Sequence, residues 1–196
     1  MLYRKKGTSL KRRVNSVKWG YQAYYKYSKE HQFGGKKVLN VGCDTSYYPA
    51  TNVVNLDSHE GEGINLVHDL TVLPLPFADE TFDGILANHV LEHIPNWGKT
   101  FTDLWRILKV GGTIEVWVPA DGSSLQLGAF THINTINHLS FHRSYFQDNV
   151  KIAQPFHVLY GSKLLKYLPK VVIEWMVYHL RNVAMETRFL FTKTGR

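Results

Sequence analysis

The stretch that most constrains the fold is KVLNVGCDTSYYPATNVVNLD, running from Lys37 to Asp57. Val38-Leu39-Asn40-Val41 is a short apolar run that stops on Gly42, and Val53 to Leu56 is a second such run that stops on Asp57. Short runs rich in β-branched residues and bounded by turn formers read as buried strands. A glycine directly after a strand lets the backbone leave at angles that a Cβ forbids, and brings peptide N–H groups close to a ligand. A carboxylate ending the next strand can accept hydrogen bonds from both hydroxyls of a ribose. Together, in one strand–turn–strand unit, these features follow the logic of a nucleoside-binding site. The link from Gly42 to Val53 is short and broken by Pro49, leaving little room for a crossover helix.

Downstream, the pattern continues as an α/β chain. A third strand is expected within Ile64 to Leu70, with Asp69 and Leu70 at its carboxyl end, where open α/β sheets bind ligands. Leu73-Pro74-Leu75-Pro76-Phe77 reads as a rigid loop, with Phe77 either beside a bound base or in a hydrophobic plug under the sheet. Thr81 to Ala87 is the expected fourth strand, followed by Asn88, His89, Glu92 and His93. Asn96 to Leu108 is the clearest helix: Asn96 stands as N-cap, and Phe101, Leu104, Trp105 and Leu108 repeat at i, i+3, i+4, i+7. Gly111-Gly112 stops it, and Thr113 to Val118 alternates as the fifth strand. Strands joined by crossovers imply a mostly parallel sheet with right-handed connections.

Beyond Pro119 the periodicity fades. Ala120 to Ser144 is rich in Gly, Ser, Asn and His and reads as a long loop, of the kind that serves as a lid or binding loop. Its His132, His138 and His142, spaced by six and four residues, match no familiar zinc pattern, so no metal is expected. The tail is expected as a strand near Phe156 to Tyr160, a helix from about Leu168 to Asn182, and a last strand from Glu186 to Thr192.

Ahead of the sheet, Ser16 to Phe33 carries Val17, Tyr21, Tyr24, Tyr25 and Tyr27 with lysines between, which predicts an amphipathic helix whose aromatic stripe packs on the sheet or covers a cleft. Residues 1–34 are therefore read as a basic, aromatic-rich arm and helix, and 35–196 as one Rossmann-like domain. The net charge of +7 is uneven, since Lys5, Lys6, Lys11, Arg12, Arg13 and Lys18 crowd the start. This is either a solvated arm or a grip on an anionic partner. One cysteine, Cys43, rules out an internal disulfide and fits a reducing compartment. The apolar stretch from Leu164 to Leu180 is broken by Lys166, Lys170 and Glu174, so no membrane span is expected, and the sequence reads as soluble and cytoplasmic.

The blocks VLNVGC, VVNLD, HDLTVLPLPFADETFD, ANHVLEHI, LWRILKVGG and IEVWVP, in this order from Lys37 to Pro119, resemble the class I S-adenosylmethionine-dependent methyltransferases, and within them the ubiquinone/menaquinone-type (type 11) branch. The resemblance implies a Rossmann-like, doubly wound, mostly parallel seven-stranded sheet with an antiparallel last strand. It implies S-adenosylmethionine as cofactor and S-adenosylhomocysteine as product. Gly42 and Cys43, Asp57 and Ser58, Asp69 and Leu70, and Asn88 take the cofactor-binding positions, with Asp69 and the next backbone N–H at the adenine. The family usually has an acidic residue where this chain has Asn40, and often a further glycine where it has Asp44.

Methyl transfer from a sulfonium needs alignment and exclusion of water, not a metal. An alkyl hydroxyl becomes a competent nucleophile only when a base takes its proton, and histidine suits that role near neutrality. His138, then His132, then His89 are the candidate bases, which points to a hydroxyl on a small molecule or sugar. Two alternatives stand beside this: an RNA-directed methyltransferase or binding module, suggested by the basic arm and tyrosines, and a cofactor-fold protein without catalysis, suggested by Asn40 and Asp44.

Overall fold

A computed structural model describes residues 35–141, 143–146, 149–152, 156–159, 167–181 and 183–195. The amphipathic helix expected over Ser16 to Phe33, the basic arm and His142 lie outside the described residues. Among the described residues eight strands form one sheet: β1 (Val38–Val41), β2 (Val53–Asp57), β3 (Leu66–Val67), β4 (Phe82–Asn88), β5 (Leu108–Pro119), β6 (Val150–Ile152), β7 (Phe156–Leu159) and β8 (Ala184–Lys193). The order is β3-β2-β1-β4-β5-β8-β6, with β7 also paired to β8. β6 lies opposite Phe191–Lys193 and β7 opposite the earlier part of β8, so the two occupy one edge lane in succession. The result is seven lanes, in which β8 alone runs against the others.

β1 is buried along its whole length because it sits between β2 and β4 with both faces covered, the usual place for an unbroken apolar run. The chain winds back to the sheet through loops in its first half. Residues 42–52, 58–65 and 68–81 contain turns but no α-helix, so the helical crossovers of a doubly wound sheet are missing from these links. The helix expected over Asn96 to Leu108 is α1 (Trp97–Ile107), which buries Phe101, Leu104, Trp105 and Ile107 on the core. Asn96 stands at the cap position but in a left-handed conformation (φ 56°) and makes no side-chain cap bond.

Three further expectations are corrected. β3 is two residues long rather than spanning Ile64 to Leu70, so Asp69 stands in the turn beyond it, where its carboxylate accepts from Thr71 N at 2.8 Å. β5 begins at Leu108, before the glycines, because Leu108 already pairs with Phe82; the ladder shifts register there, and Gly111 (φ 82°) absorbs the irregularity. The long segment after Pro119 is not wholly loop. It holds α2 (Ser124–Leu127), capped by the Ser123 hydroxyl accepting from Gln126 N at 3.0 Å, and a 3-10 turn at Arg143–Phe146.

The end of that segment is fixed by an aromatic cluster. Phe141 packs on Phe101, Phe189 and Phe191 with ring centroids 4.7–5.2 Å apart, and Phe146 lies on Trp105 and Phe191 at 4.9 and 5.0 Å. Such ring pairs add stability beyond their buried area. Phe77 packs edge-on against Phe82 at 4.9 Å, and Leu75 is buried, so the proline-rich loop is the hydrophobic plug. The last helix, α3 (Lys170–His179), precedes β8. No helix among the described residues is long and apolar enough to cross a membrane.

Candidate functional site

The carboxyl ends of β1 and β2 build the first part of the site. Gly42 leaves β1 at φ 59°, with its N–H donating to Leu56 O at 2.8 Å. A Cβ at this position would be driven into the Val90 side chain, its Cβ only 2.7 Å away, so conformation and space both require glycine. Asp44, also at positive φ (41°), turns its N–H onto Asp57 Oδ2 at 2.8 Å. Asp57 Oδ1 has only long contacts, 3.4 Å from both the Ser58 hydroxyl and His59 N and 3.8 Å from His59 Nδ1. One carboxylate oxygen is thus anchored while the other retains accepting capacity. A cavity of about 360 Å³ opens here, lined by Asp44, Asp57, Glu60 and Glu62 among others. Its four carboxylates favour a cationic ligand.

The turn is braced from below by an amide ladder that the sequence did not reveal. Asn40 and Asn55 are direct partners in the β1–β2 register. Asn40 Nδ2 donates to Asn55 Oδ1 and to Ser46 O, both at 3.1 Å, while Asn55 accepts from Tyr48 N at 3.0 Å and donates to Tyr48 O at 2.9 Å. Where the family usually has a carboxylate, this chain has a buried amide, because the bond to Ser46 O needs a donor. Matching asparagines in two predicted adjacent strands were the available signal. The neighbouring Cys43 thiol is pushed up to about 11 by burial and by the charge of Asp57, so it stays protonated.

Asp69 and Leu70 follow β3. The Asp69 carboxyl is held below the usual range, chiefly by Thr71 N, and Leu70 is buried with its carbonyl accepting from the Thr100 hydroxyl at 3.0 Å. Asn88 is half-buried and ends β4, opposite Trp117.

The second part of the site lies beyond β4. His89 has positive φ (51°), its N–H donates to Trp117 O at 2.9 Å, and its ring sits between two carboxylates, with Nδ1 3.1 Å from Glu92 Oε1 and Nε2 3.6 Å from Glu186 Oε1. Burial alone would push the ring down, but Glu186 and Glu92 outweigh it and hold it up at about 9. The two carboxylates thus favour the protonated, donating form of His89. Glu92 is fully buried, and its backbone carbonyl accepts from Ile133 and Asn134 N–H at 3.0 and 3.1 Å. His132 thereby comes against this turn, with its ring 4.8 Å from that of His93. His138 is exposed, in a turn that Asn137 ties to Asp121 (3.0 Å) and that Phe141 anchors to the core. The fold thus brings both His89 and His132 to Glu92: His89 Nδ1 meets Oε1 at 3.1 Å, and His132 offers a ring nitrogen within 4.8 Å of a carboxylate oxygen. Asn134, absent from the sequence reading, joins the two segments through its amide on Ile94 O at 2.8 Å.

A family model described as a methyltransferase domain matches residues 31–116. An uncharacterised protein of Methanocaldococcus jannaschii is 26% identical over 181 residues, covering 84% of this chain and 78% of that protein. A demethylmenaquinone methyltransferase of Roseiflexus sp. is 40% identical over 42 residues, which is 21% of this chain and 18% of that enzyme, so only a small part of that enzyme's length is matched. Among solved structures, an S-adenosylmethionine-dependent methyltransferase of Archaeoglobus fulgidus superposes with a TM-score of 0.61 at 14% identity, covering 95% of this chain and all of that one, a likeness of fold. With the glycine turn and Asp57 inside the matched residues and the seven-lane sheet around them, the chain is similar to the S-adenosylmethionine-dependent methyltransferases in the matched residues and in fold.

Proposed function

We propose that the chain transfers a methyl group from S-adenosylmethionine to a hydroxyl of a small molecule or sugar. The observation that carries the cofactor half is the Asp57 carboxylate, fixed on one oxygen by Asp44 N–H and held only by long contacts on the other, at the mouth of an acid-lined cavity. The residues present fit the cofactor. Gly42 makes the tight turn after β1 with Val90 packed against it, Asp57 matches a ribose diol, and the cavity's negative charge matches a ligand bearing a sulfonium. Asp69 with Leu70 would hold the base, and Cys43, Ser58 and Asn88 would line the remainder. When bound, the cofactor supplies an electrophilic methyl group. The chain's own contribution is to orient the acceptor, exclude water and take up the hydroxyl proton.

His138 is the first candidate for that proton, and His132 the second, since its Nδ1 faces Gln126 O and leaves Nε2 as an acceptor. Apolar side chains around these histidines support a small acceptor with an apolar body. Phe130 is 98% and Leu139 79% exposed. The name of the Roseiflexus relative, a demethylmenaquinone methyltransferase, is in keeping with such an acceptor. The charge gathered beside the cavity is acidic, which favours a small acceptor over a polyanion such as RNA.

Calorimetric titration of the full chain with S-adenosylmethionine and S-adenosylhomocysteine tests the cofactor half. A hydroxyl-bearing panel, read by mass spectrometry for the added methyl group, tests the acceptor half. Binding of both ligands with methylation of an alcohol is the expected result. No binding at millimolar cofactor would overturn the reading.

A further inference from the structure

The turn after β4 and the segment around His132 hold a second arrangement, one that gives the His132 Nε2 lone pair another use and leaves His138 as the base. We propose that Glu92, His93 and His132 bind one divalent transition-metal ion of the zinc class, and that the ion clamps the segment after β5 onto the turn after β4. Each of the three residues offers a ligand atom, and these atoms lie within 4.8 Å of one another. The histidines are already set in the tautomer a metal requires. His93 Nδ1 lies 3.0 Å from Thr131 O, and His132 Nδ1 lies 3.2 Å from Gln126 O. A carbonyl oxygen only accepts, so in both rings Nδ1 carries the hydrogen and Nε2 presents its lone pair. Backbone carbonyls orient metal-ligating histidines in this way, fixing the ring and raising its basicity.

The ring geometry agrees. The two imidazole centroids are 4.8 Å apart with planes at 62°. Two imidazoles on one tetrahedral ion, with bonds of about 2.1 Å, place their centroids roughly 5 Å apart.

An independent observation points to a missing cation. Glu92 is fully buried; Oε1 is engaged by His89 Nδ1 at 3.1 Å, and Oε2 is buried with no partner. A buried carboxylate oxygen without a donor is unfavourable, and a bound cation removes the penalty. Two imidazole nitrogens and one carboxylate oxygen form the donor set of three-ligand zinc sites, which keep a fourth position for water. His93 is exposed and His132 half-buried, so an ion has a way in. Ligand atoms around tetrahedral zinc stand roughly 3.3 Å apart. Loading therefore draws the three residues together, and the loop position of His132 permits that movement. Ile133 and Asn134 already bond to the Glu92 carbonyl, so the ion completes an existing attachment. No residue of the Gly42–Asp57 end takes part and His138 is not a ligand, so the proposal stands or falls apart from cofactor binding and from His138 as base.

The test uses the full, tag-free chain, stripped with a chelator and titrated with Zn²⁺ by calorimetry and with Co²⁺ by visible absorption. The chain has 10 histidines, so His93→Ala/His132→Ala sets the background, and its folding is checked by circular dichroism. The expected result is one Zn²⁺ per chain, intense four-coordinate Co²⁺ bands, and a melting temperature raised by Zn²⁺ in the wild type alone. Each single histidine variant, and Glu92→Gln, should bind at least about tenfold more weakly. Zn²⁺ uptake no greater than that of the double variant would overturn the site, as would a Co²⁺ spectrum showing only weak octahedral bands.

Discussion

The Gly42–Asp57 end and the histidine-bearing segment after β5 are held by opposite means. At the first, the bonds that shape the turn join residues 6–15 apart: Asn40 to Ser46 and Asn55, Asp44 to Asp57, Tyr48 to Asn55. At the second, the bonds join residues 38–43 apart: His93 to Thr131, and Asn134 to Leu91 and Ile94. The first is a rigid product of strand register, suited to a cofactor of fixed shape. The second is a surface segment moored at a few points to a turn, the kind of element that varies more readily than the strands it follows. Function can vary at the second end without disturbing the first.

The largest effect that would sharpen this contrast is at His138. His138→Asn should lower methyl-transfer turnover by about 10²–10⁴-fold, with cofactor affinity and melting temperature unchanged. Turnover within a few-fold of wild type would break the assignment. Next is Asp57→Ala, which removes charge-assisted hydrogen bonds worth roughly 1.5–3 kcal/mol and should weaken cofactor binding about ten- to a hundredfold by calorimetry. That variant should leave the histidine segment undisturbed in hydrogen exchange.

The two braces give a paired stability test. Asn40→Asp puts the family's usual carboxylate against Ser46 O and Asn55 Oδ1, both acceptors, and should destabilise by about 1–3 kcal/mol in urea melts. Asn134→Ala, with one short bond at 2.8 Å and two of 3.4–3.5 Å, should lose about 1 kcal/mol and leave cofactor affinity intact. Equal losses at both positions would contradict the difference in rigidity drawn above.

The last test, of chemical reactivity rather than turnover, affinity or stability, concerns Cys43. Its thiol, at about 11, is raised above the ordinary value of a free cysteine. The folded state therefore holds its proton more tightly than the unfolded chain. The associated stability is present below the unfolded pKa and is lost as pH rises through about 11. At pH 8 the folded thiol should react with iodoacetamide roughly a hundredfold more slowly than in the unfolded chain, with Asp57→Asn narrowing the gap. Equal rates in folded and unfolded protein would show that the thiol is not shielded.

The sequence by itself determined the strand–glycine–strand–aspartate unit, α1 and the parallel order of the first strands. Those features are written in local periodicity and in residues whose backbone chemistry permits few alternatives, as Gly42 at φ 59° illustrates. It did not determine that β3 would be two residues long, that β6 and β7 would share one lane beside β8, or that Leu108 would already be strand. Pairing with a neighbour decides these, and no single strand's composition reports its neighbour. Only the tertiary structure brought Asn40 onto Asn55, and Glu92, His93 and His132 within reach of one another. The second meeting spans about forty residues and depends on α1 and β5 turning the chain back on itself and on Phe141 docking on Phe101 and Phe191. Closing such a span is a matter of loop entropy set against core packing, and neither leaves a periodic mark in the residues that meet.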